Sequence, residues 1–239
     1  MTSISNKTII ITGASRGIGR ATAILLAQNG ANVVAMARNE AELSTLAAEA
    51  ATAQLNIKII RGDVSVEADA QSVIDFAMAQ FGRIDLLINN AGYGIFKNVE
   101  DITLTEWDDL MATNARGMFL MTKAALPHLK AQMSGHIINI ASDVAKRTFA
   151  GGSLYTASKY AQEAFTGSLR KETRAFNVKV SAVYSGLVDS HFHDKGHGHP
   201  TSANWLKNQD MAEAIFYIAN QPAHVVIDEL MIHPLEQDY

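Results

Sequence analysis

Short runs of aliphatic and β-branched residues alternate along this chain with longer segments of helical pattern. Strands that alternate with helices pair in parallel through right-handed crossovers, and buried parallel strands are continuously apolar, as these runs are. The predicted strands are Thr8–Ile11, Asn32–Met36, Ile57–Ile60, Asp85–Ile88, His136–Ile140, Lys179–Val183 and Val225–Ile232. The predicted helices lie near 18–29, 40–53, 67–81, 106–132, 155–176 and 210–220. We therefore predict one α/β domain over residues 1–239, with a doubly wound parallel sheet of about seven strands and helices on both faces.

The composition excludes several classes of protein. Apolar residues make up 48% of the 239 positions and charged residues 18%, which allows a large core. The net charge of -4 argues against binding to nucleic acid, which needs a basic face. The chain has no cysteine, so disulfides, thiolate zinc sites and a cysteine nucleophile are excluded. Because there is neither a signal-peptide pattern nor an apolar run of ~18 residues, we predict a cytoplasmic protein without a membrane segment.

The chain between Gly186 and Asn204 is its least regular part, interrupted by glycines and a proline. We expect a flexible substrate flap over about 187–207. Half of the 8 histidines crowd this segment, at His191, His193, His197 and His199. Neutral imidazoles are good metal ligands, but the segment lacks carboxylates placed to orient them. We therefore predict no metal site and interpret the segment as a polar lid, or as a lid with one histidine that touches the substrate.

A glycine-rich loop follows the first predicted strand and opens the first predicted helix. Glycine lets the backbone turn tightly and approach a pyrophosphate without a Cβ in the way, and the free amides of a helix N-terminus attract the anion. The spacing differs from the G-x-G-x-x-G of common dinucleotide folds, but the position after the first strand indicates a nucleotide site. The predicted loop residues of this site are Gly13, Ser15, Arg16, Gly17, Ile18 and Gly19.

The end of the second predicted strand indicates which nucleotide binds. An NAD site usually places an acid there for the ribose 2′-hydroxyl, whereas this chain has Ala37 followed by Arg38. Without a carboxylate to repel it, a 2′-phosphate can bind Arg38 and Arg16 through charge-assisted hydrogen bonds. We therefore predict NADP(H), the alternative being that both arginines are ordinary surface residues. Asp63 and Val64 follow the third strand and are predicted to contact the adenine, although capping a helix suits Asp63 equally well.

Small and amide-bearing residues end the fourth predicted strand, in the sequence Asn89-Asn90-Ala91-Gly92. They suit close backbone approach to a ribose and local hydrogen bonds that brace neighbouring strands. We predict that Asn90, Ala91 and Gly92 contact the cofactor, with a simple turn as the alternative.

Tyr155 and Lys159 lie four residues apart in a predicted helix, so their side chains share one face. A free phenol titrates near pH ~10, and a nearby ammonium stabilises the phenolate and lowers that pKa. Tyr155 can therefore donate a proton to a carbonyl oxygen in reduction and accept one in oxidation, while Ser142 hydrogen-bonds the same oxygen. Lys159 can also hold the ribose. Asn114 can anchor a water that links Lys159 to solvent, or it can serve packing alone.

The order of these motifs resembles the short-chain dehydrogenase/reductase family over essentially the whole chain. The motifs are Thr12-Gly13-x-x-x-Gly17-x-Gly19, Asn89-Asn90-Ala91-Gly92 and Ser142…Tyr155-x-x-x-Lys159. The resemblance implies a Rossmann-like fold, a small carbonyl or alcohol substrate and a homodimer or homotetramer. It also implies a catalytic tetrad of Asn114, Ser142, Tyr155 and Lys159, with Tyr155 and Lys159 contacting the cofactor.

The chain departs from the family pattern after the sixth predicted strand. The family commonly has Pro-Gly there, followed by a threonine that binds the nicotinamide amide. Here Ser185 replaces the proline, so the turn is less rigid, and Ser190 keeps a hydroxyl at the place of the threonine. The resemblance therefore implies cofactor contacts from Gly186, Val188 and Ser190.

The side chains expected beside the catalytic residues form a largely apolar, aromatic substrate pocket. They are Tyr93, Phe96, Val144, Phe149, Tyr184 and Phe192, together with Ser142 and Tyr155. Plain core packing is the alternative for each of the apolar ones. Lys146 and Arg147 follow Ser142 and could meet an acidic substrate, although solvated positions are the simpler expectation.

The glycine-free C-terminal segment resembles the NADP-dependent branch of 3-hydroxy acid dehydrogenases and broad carbonyl reductases. The matching stretches are 221–225 and 228–234. We predict an NADPH-dependent oxidoreductase that transfers a hydride between the cofactor and a ketone, aldehyde or 3-oxo acid, and that oxidises a secondary alcohol in reverse. One alternative is a 3-oxoacyl thioester reductase, against which the glycine-free tail argues. The other is an NADP-binding sensor without turnover.

Overall fold

The computed structural model describes residues 4–192 and 198–238. Its strands are β1 (Thr8–Thr12), β2 (Asn32–Ala37), β3 (Ile57–Arg61), β4 (Leu86–Asn89), β5 (Gly135–Ser142), β6 (Val178–Ser185), β7 (Val188–Asp189), β8 (Leu206–Lys207) and β9 (Glu229–Ile232). Its helices are α1 (Gly17–Gln28), α2 (Glu40–Thr52), α3 (Glu67–Phe81), α4 (Leu104–Met111), α5 (Gly117–Ala131), α6 (Ser153–Thr173) and α7 (Asn208–Ala219). Seven of the strands form one sheet in the order β3-β2-β1-β4-β5-β6-β9, and each neighbouring pair is parallel. The predicted doubly wound fold is confirmed.

The strands bury both of their faces, so the helices cover the sheet from two sides. In β1, Ile9 and Ile11 lie in one hydrophobic core and Ile10 in the other. Helices α1, α2 and α7 contribute to the first core, and α3, α5 and α6 contribute to the second. This is why the strands are apolar at successive positions, since neither face is exposed to water. Each fully buried aliphatic side chain contributes roughly 1.5–3 kcal/mol to folding.

Two predicted elements differ from the structure. The single helix expected over 106–132 is divided into α4, a π-helical segment at Ala112–Arg116 and α5. Apolar periodicity does not reveal a π-helical insertion, because the residues on either side keep a helical pattern. The last strand, expected from Val225, begins at Glu229, since Val225 N closes a turn onto Pro222 O and pairing with β6 starts at Glu229.

The predicted flap over 187–207 contains regular structure where it is described. Strands β7 and β8 pair in parallel there, and a 3₁₀ turn spans Pro200–Ser202. His199 Nδ1 lies 2.8 Å from Thr201 Oγ1. His193 and His197 lie outside the described residues. Within 4–192 and 198–238, no group of three histidine, aspartate or glutamate side chains is placed to hold a metal ion.

None of the helices in the described part of the chain combines the length and the hydrophobicity that crossing a membrane requires.

The strand order reverses between β1 and β4, at the centre of the sheet. Chains that leave these two strands depart in opposite directions, which opens a crevice at the carboxyl ends of the strands. The glycine loop follows β1, the Asn90-Ala91-Gly92 segment follows β4, and Ser142 ends β5. The topology therefore brings the sequence motifs to one edge of the sheet.

Candidate active site

A cavity of about 840 Å³ lies at this edge of the sheet. Predicted cofactor residues on its wall are Gly13, Ser15, Arg16, Gly17, Ile18, Arg38, Asp63, Val64, Asn90, Ala91, Gly92, Tyr155, Lys159, Gly186, Val188 and Ser190. Predicted catalytic and substrate residues on its wall are Ser142, Tyr155, Lys159, Tyr93, Phe96, Val144, Phe149 and Phe192. Gly19, Asn114 and Tyr184 are predicted site residues that the structure places outside this wall.

The glycine loop depends on backbone geometry that a side chain would disturb. Gly13 and Gly17 have φ of +65° and +57°, in the left-handed region that favours glycine. A Cβ at Gly19 would lie 2.5 Å from Asn90 Nδ2 and still closer to the Gly13 carbonyl oxygen. Arg16, the N-cap of α1, makes no side-chain capping bond, and the first two residues of the helix, Gly17 and Ile18, line the cavity. A glycine cradle against a helix N-terminus fits the phosphates of a dinucleotide.

Hydrogen bonds join the loop after β1 to the segment after β4. Thr12 Oγ1 accepts from the amides of Asn90 and Ala91, at 3.0 Å each. Asn90 Nδ2 in turn donates to the carbonyl oxygens of Thr12 and Gly13, at 2.9 and 3.2 Å. Asn90 therefore braces the glycine loop from beside the cavity, in addition to forming part of its wall.

Two arginines, Arg16 and Arg38, line the part of the cavity between the glycine loop and the end of β2. Arg38 is paired with Asp63 at 3.6 Å, and its side chain is 65% exposed, so it can reorient toward a ligand. Burial alone would raise the pKa of Asp63, but hydrogen bonds from Ser65 and the charge of Arg38 outweigh it and hold that pKa below its usual value. The N-cap of α3 is Val66. Asp63 instead caps the turn before the helix by accepting from Ser65.

Glu42 is a residue of this region that sequence reasoning missed. Its carboxylate accepts a hydrogen bond from Ser15 Oγ at 2.7 Å and lies 3.7 Å from Arg16 Nη1. It also lines the cavity. The end of β2, where an acid was expected in an NAD site, is Ala37, whereas this acid comes from the first turn of α2. The sequence signal that could have identified Glu42 is a glutamate in the first turn of the helix that follows β2.

Tyr155 and Lys159 lie on successive turns of α6, and Ser142 lies at the end of β5. All three are buried. Lys159 Nζ is 5.7 Å from the centre of the Tyr155 ring and donates to the carbonyl oxygen of Ile140 at 3.2 Å. Ser142 Oγ donates to Asp143 Oδ1 at 3.1 Å. A hydroxyl, a phenol and an ammonium thus converge at one place on the cavity wall.

Burial shifts the pKa values of this pair toward their neutral forms. It raises the pKa of the Tyr155 phenol, an effect that the hydrogen bond with Ser142 opposes and the negative charge of Asp143 reinforces. It lowers the pKa of Lys159 to about 8. We expected Lys159 to lower the pKa of Tyr155, but the net shift is upward, because loss of water around the phenol has the larger effect. The phenol therefore holds its proton at neutral pH.

Asn114 lies behind the cavity wall, in the π-helical segment. Its Nδ2 donates to Tyr93 O at 2.9 Å and Ser158 Oγ at 3.0 Å, and its Oδ1 accepts from Tyr93 N at 3.1 Å. The side chain is fully buried. It therefore fixes the segment after β4 against α6 and reaches the catalytic group only indirectly.

Aromatic rings form the wall beyond the phenol. The Phe96 ring centre lies 5.4 Å from that of Tyr155 with an edge-on geometry, and 6.0 Å from that of Phe149. The Phe192 ring lies 5.5 Å from Tyr155. Phe96 and Phe149 are 43% and 39% exposed, which is high for large apolar rings that only pack a core. These rings present an apolar surface beside the reacting position.

Tyr184 does not join these rings, and the substrate role expected for it was wrong. It is fully buried, its hydroxyl donates to Glu163, and Lys146 Nζ lies 4.7 Å from its ring centre. Lys146 also pairs with Glu163 at 2.8 Å and with Glu229 at 3.2 Å. Successive residues of a strand point to opposite faces, and position alone did not reveal which face Tyr184 takes.

A polar corner completes the wall beside Ser142, and sequence reasoning missed two of its members. The buried Asp143 carboxylate accepts from Arg147 Nη2 at 2.6 Å and from Gln237 Nε2 at 2.8 Å. Gln237 Oε1 accepts from Leu187 N at 2.7 Å. The expectation that Arg147 is merely solvated was therefore wrong. No local motif linked Gln237 to a serine 95 positions earlier (237 − 142), so only the fold could bring them together.

The fold, the glycine loop and the Ser142–Tyr155–Lys159 group are typical of a nucleotide-dependent oxidoreductase. The family profile described as short chain dehydrogenase matches residues 7–198. An uncharacterized oxidoreductase of Staphylococcus aureus strain MRSA252 is 36% identical over 235 residues, which cover 98% of this chain and 100% of that protein.

Solved structures agree with this family. An alcohol dehydrogenase from the archaeon Thermococcus sibiricus, complexed with 5-hydroxy-NADP, is 30% identical with a TM-score of 0.92, covering 98% of this chain and 99% of its own. A metagenomic short-chain oxidoreductase in complex with NADP is 32% identical with a TM-score of 0.86, covering 99% and 100%. This chain belongs to the short-chain dehydrogenase/reductase family of oxidoreductases.

Proposed function

We propose that this protein is an NADP(H)-dependent oxidoreductase that interconverts a small ketone, aldehyde or 3-oxo acid and the corresponding alcohol. The observation that carries the proposal is the buried Ser142–Tyr155–Lys159 group, which shares one cavity with the glycine loop. A bound NADP(H) would supply a hydride to the carbonyl carbon, or accept one from the alcohol carbon.

The glycine cradle and the two arginines support NADP(H) as the cofactor. Gly13, Gly17 and Gly19 leave room for a pyrophosphate, and Arg16 and Arg38 offer cationic groups for a 2′-phosphate at the adenosine end. The two solved relatives described above carry NADP or its 5-hydroxy derivative.

In reduction, the substrate carbonyl oxygen would lie between Ser142 and Tyr155. The Ser142 hydroxyl donates a hydrogen bond that stabilises charge developing on this oxygen. The Tyr155 hydroxyl then transfers its proton to the oxygen, so that an O–H bond forms as the carbonyl carbon gains its hydride. The Lys159 ammonium stabilises the resulting phenolate until solvent returns the proton. In oxidation the same groups act in reverse order.

The aromatic wall supports a substrate with an apolar body. Phe96, Phe149 and Phe192 surround the position beyond the phenol, while Arg147 is held beside it by Asp143. An apolar ketone would contact the rings alone, whereas a 3-oxo acid could place its carboxylate toward Arg147. The substrates of the two enzyme alternatives differ in size, because a 3-oxoacyl thioester must also extend a long thioester arm out of the cavity.

The homodimer or homotetramer and the cytoplasmic location remain predictions.

The experiment that tests the proposal is NADPH consumption across ketones, aldehydes, 3-oxo acids and 3-oxoacyl thioesters. Tyr155→Phe should lower turnover by roughly 100-fold or more, because it removes the proton donor and leaves the ring. Tyr160→Phe is the matched control, since Tyr160 lies on the same helix and its side chain is exposed. Equal turnover by Tyr155→Phe and wild type would overturn the mechanism. Tight NADPH binding without turnover on any substrate would favour the sensor.

A further inference from the structure

The ammonium of Lys159 is hydrogen-bonded to the side chain of Gln162, which is not a member of the predicted tetrad. Lys159 Nζ donates to Gln162 Oε1 at 3.0 Å, in addition to its bond with the Ile140 carbonyl oxygen. Gln162 follows Lys159 by three residues on α6, and only 3% of it is exposed. It lies behind Lys159 as viewed from the cavity, whose wall is formed by Lys159 and not by Gln162.

The other end of the same carboxamide reaches the π-helical segment. Gln162 Nε2 donates to the carbonyl oxygen of Asn114 at 2.6 Å. A carboxamide has one oxygen acceptor and one nitrogen donor group, and the two neighbours fix which is which, since an ammonium only donates and a carbonyl only accepts. Gln162 is thereby locked between Lys159 and Asn114 in one orientation.

We infer that Gln162 is a positioning residue for the reaction, which holds the Lys159 ammonium in place and connects it directly to Asn114. The inference rests on the proposed role of Lys159. The sequence left open whether Asn114 anchors a water that links Lys159 to solvent or serves packing alone, and in the structure the Gln162 carboxamide joins Lys159 to Asn114 directly. A carboxamide neither gains nor loses a proton near neutral pH, so the link orients the ammonium and does not relay protons.

A buried ammonium depends on its acceptors more than an exposed one, because water cannot replace them. The groups that face it are the Ile140 carbonyl of β5, the Gln162 carboxamide, and the Tyr155 phenol from the preceding turn of α6. The negative charge of Asp143, after β5, acts on Tyr155 and raises the pKa of its phenol. Changing Gln162 should therefore change the affinity of Lys159 for its proton.

Two substitutions of Gln162 should shift the pKa of Lys159 in opposite directions. Gln162→Met keeps the length of the side chain and removes the acceptor, which should lower the pKa of Lys159 by about one unit. Gln162→Glu places a carboxylate against the ammonium, which should raise that pKa by roughly 1–3 units. At the alkaline pH where Lys159 titrates, this glutamate is ionised because the ammonium faces it.

Two measurements can detect these shifts in the pKa of Lys159. One is the Cε chemical shift of carbon-13-labelled lysine as a function of pH in the protein without substrate, with Lys159 assigned from Lys159→Met. The other is the alkaline limb of kcat/KM against pH, which should move in the same direction as the NMR titration. Gln28→Glu, at the exposed end of α1, is the charge-matched control and should move neither.

An unchanged Lys159 titration in Gln162→Met would overturn the inference. If that variant does not fold, as judged by circular dichroism, the absence of an upward shift in Gln162→Glu would overturn it instead. A purely structural role for Gln162 would lower stability and leave both titrations in place. The NMR titration needs no turnover, so it tests Gln162 even if the proposed reaction is wrong.

Discussion

The Glu42 side chain interacts with groups in this cavity that a bound nucleotide would also contact. Its carboxylate binds Ser15 and lies near Arg16, both on the loop where a nucleotide phosphate would lie. A bound 2′-phosphate must compete with this carboxylate for the same donors. Glu42 should therefore weaken the binding of NADP relative to a cofactor without that phosphate.

Glu42→Gln should tighten NADP⁺ binding by roughly threefold to tenfold, because it removes one negative charge at partly exposed positions. Binding of NAD⁺ should change much less. Isothermal titration calorimetry of both nucleotides measures the two dissociation constants. Glu49→Gln is the matched control, since Glu49 lies on the same helix and pairs with Arg20 away from the cavity. Equal effects on NADP⁺ and NAD⁺ would show that Glu42 does not act on the 2′-phosphate.

The residues that sequence reasoning located are those that form local motifs. Gly13 belongs to the glycine loop, and Tyr155 and Lys159 lie four residues apart on one helix. In each case the short spacing itself indicates a function. Glu42, Gln162 and Gln237 gained their positions from contacts with other elements, which no local pattern records. The net shift of the Tyr155 pKa differed from the expected one for a related reason, since the charge of Lys159 was visible in the sequence and the burial of the phenol was not.

At the scale of elements, the start of α1 packs closely against the loop that precedes it. Gly19 lies under the loop, where a Cβ would collide with the Gly13 carbonyl oxygen and with Asn90. The sequence gives the reason for glycine at this junction, because a helix that begins on a phosphate must approach its own loop closely. The division of the predicted helix 106–132 had no such signal, and only the structure places Asn114 in a π-helical segment.

Gly19→Ala should lower the free energy of unfolding by roughly 1–3 kcal/mol and weaken NADP⁺ binding, because the loop must shift to accept the methyl group. Chemical denaturation and calorimetry measure the two effects. Gly167→Ala is the control within a helix, since a Cβ there meets nothing within 4 Å. That variant should instead gain about 0.5–1 kcal/mol from helix propensity. Similar stability changes in both variants would contradict the close packing at Gly19.

For the whole molecule, the order of elements and the parallel sheet followed from the sequence, since alternating apolar runs and helices admit few other arrangements. The same fold buries Lys159, which links the site to global stability. Burial lowers the pKa of Lys159 from its ordinary value of 10.5 to about 8 in the folded chain. Between these values the unfolded chain binds more protons, so folding becomes more favourable as the pH rises.

Wild-type stability relative to Lys159→Met should therefore increase by about 2 kcal/mol between about pH 7.5 and about pH 10. The difference in unfolding free energy, from urea titrations of both proteins without cofactor, measures it. Lys58→Met replaces an exposed lysine and should show no such dependence on pH. A constant difference between wild type and Lys159→Met would mean that Lys159 has an ordinary proton affinity in the folded protein.

The hydroxyl of Thr12 limits which side chains can replace threonine at this position. This one oxygen accepts from the amides of Asn90 and Ala91 at the centre of the sheet, where the strand order reverses. Valine has nearly the shape of threonine, yet it would leave both amides without their acceptor. Serine would lose only a methyl group and keep the acceptor. Among variants selected for cofactor binding, position 12 should therefore admit serine and reject valine, so that similarity of shape is a poor guide to exchange there.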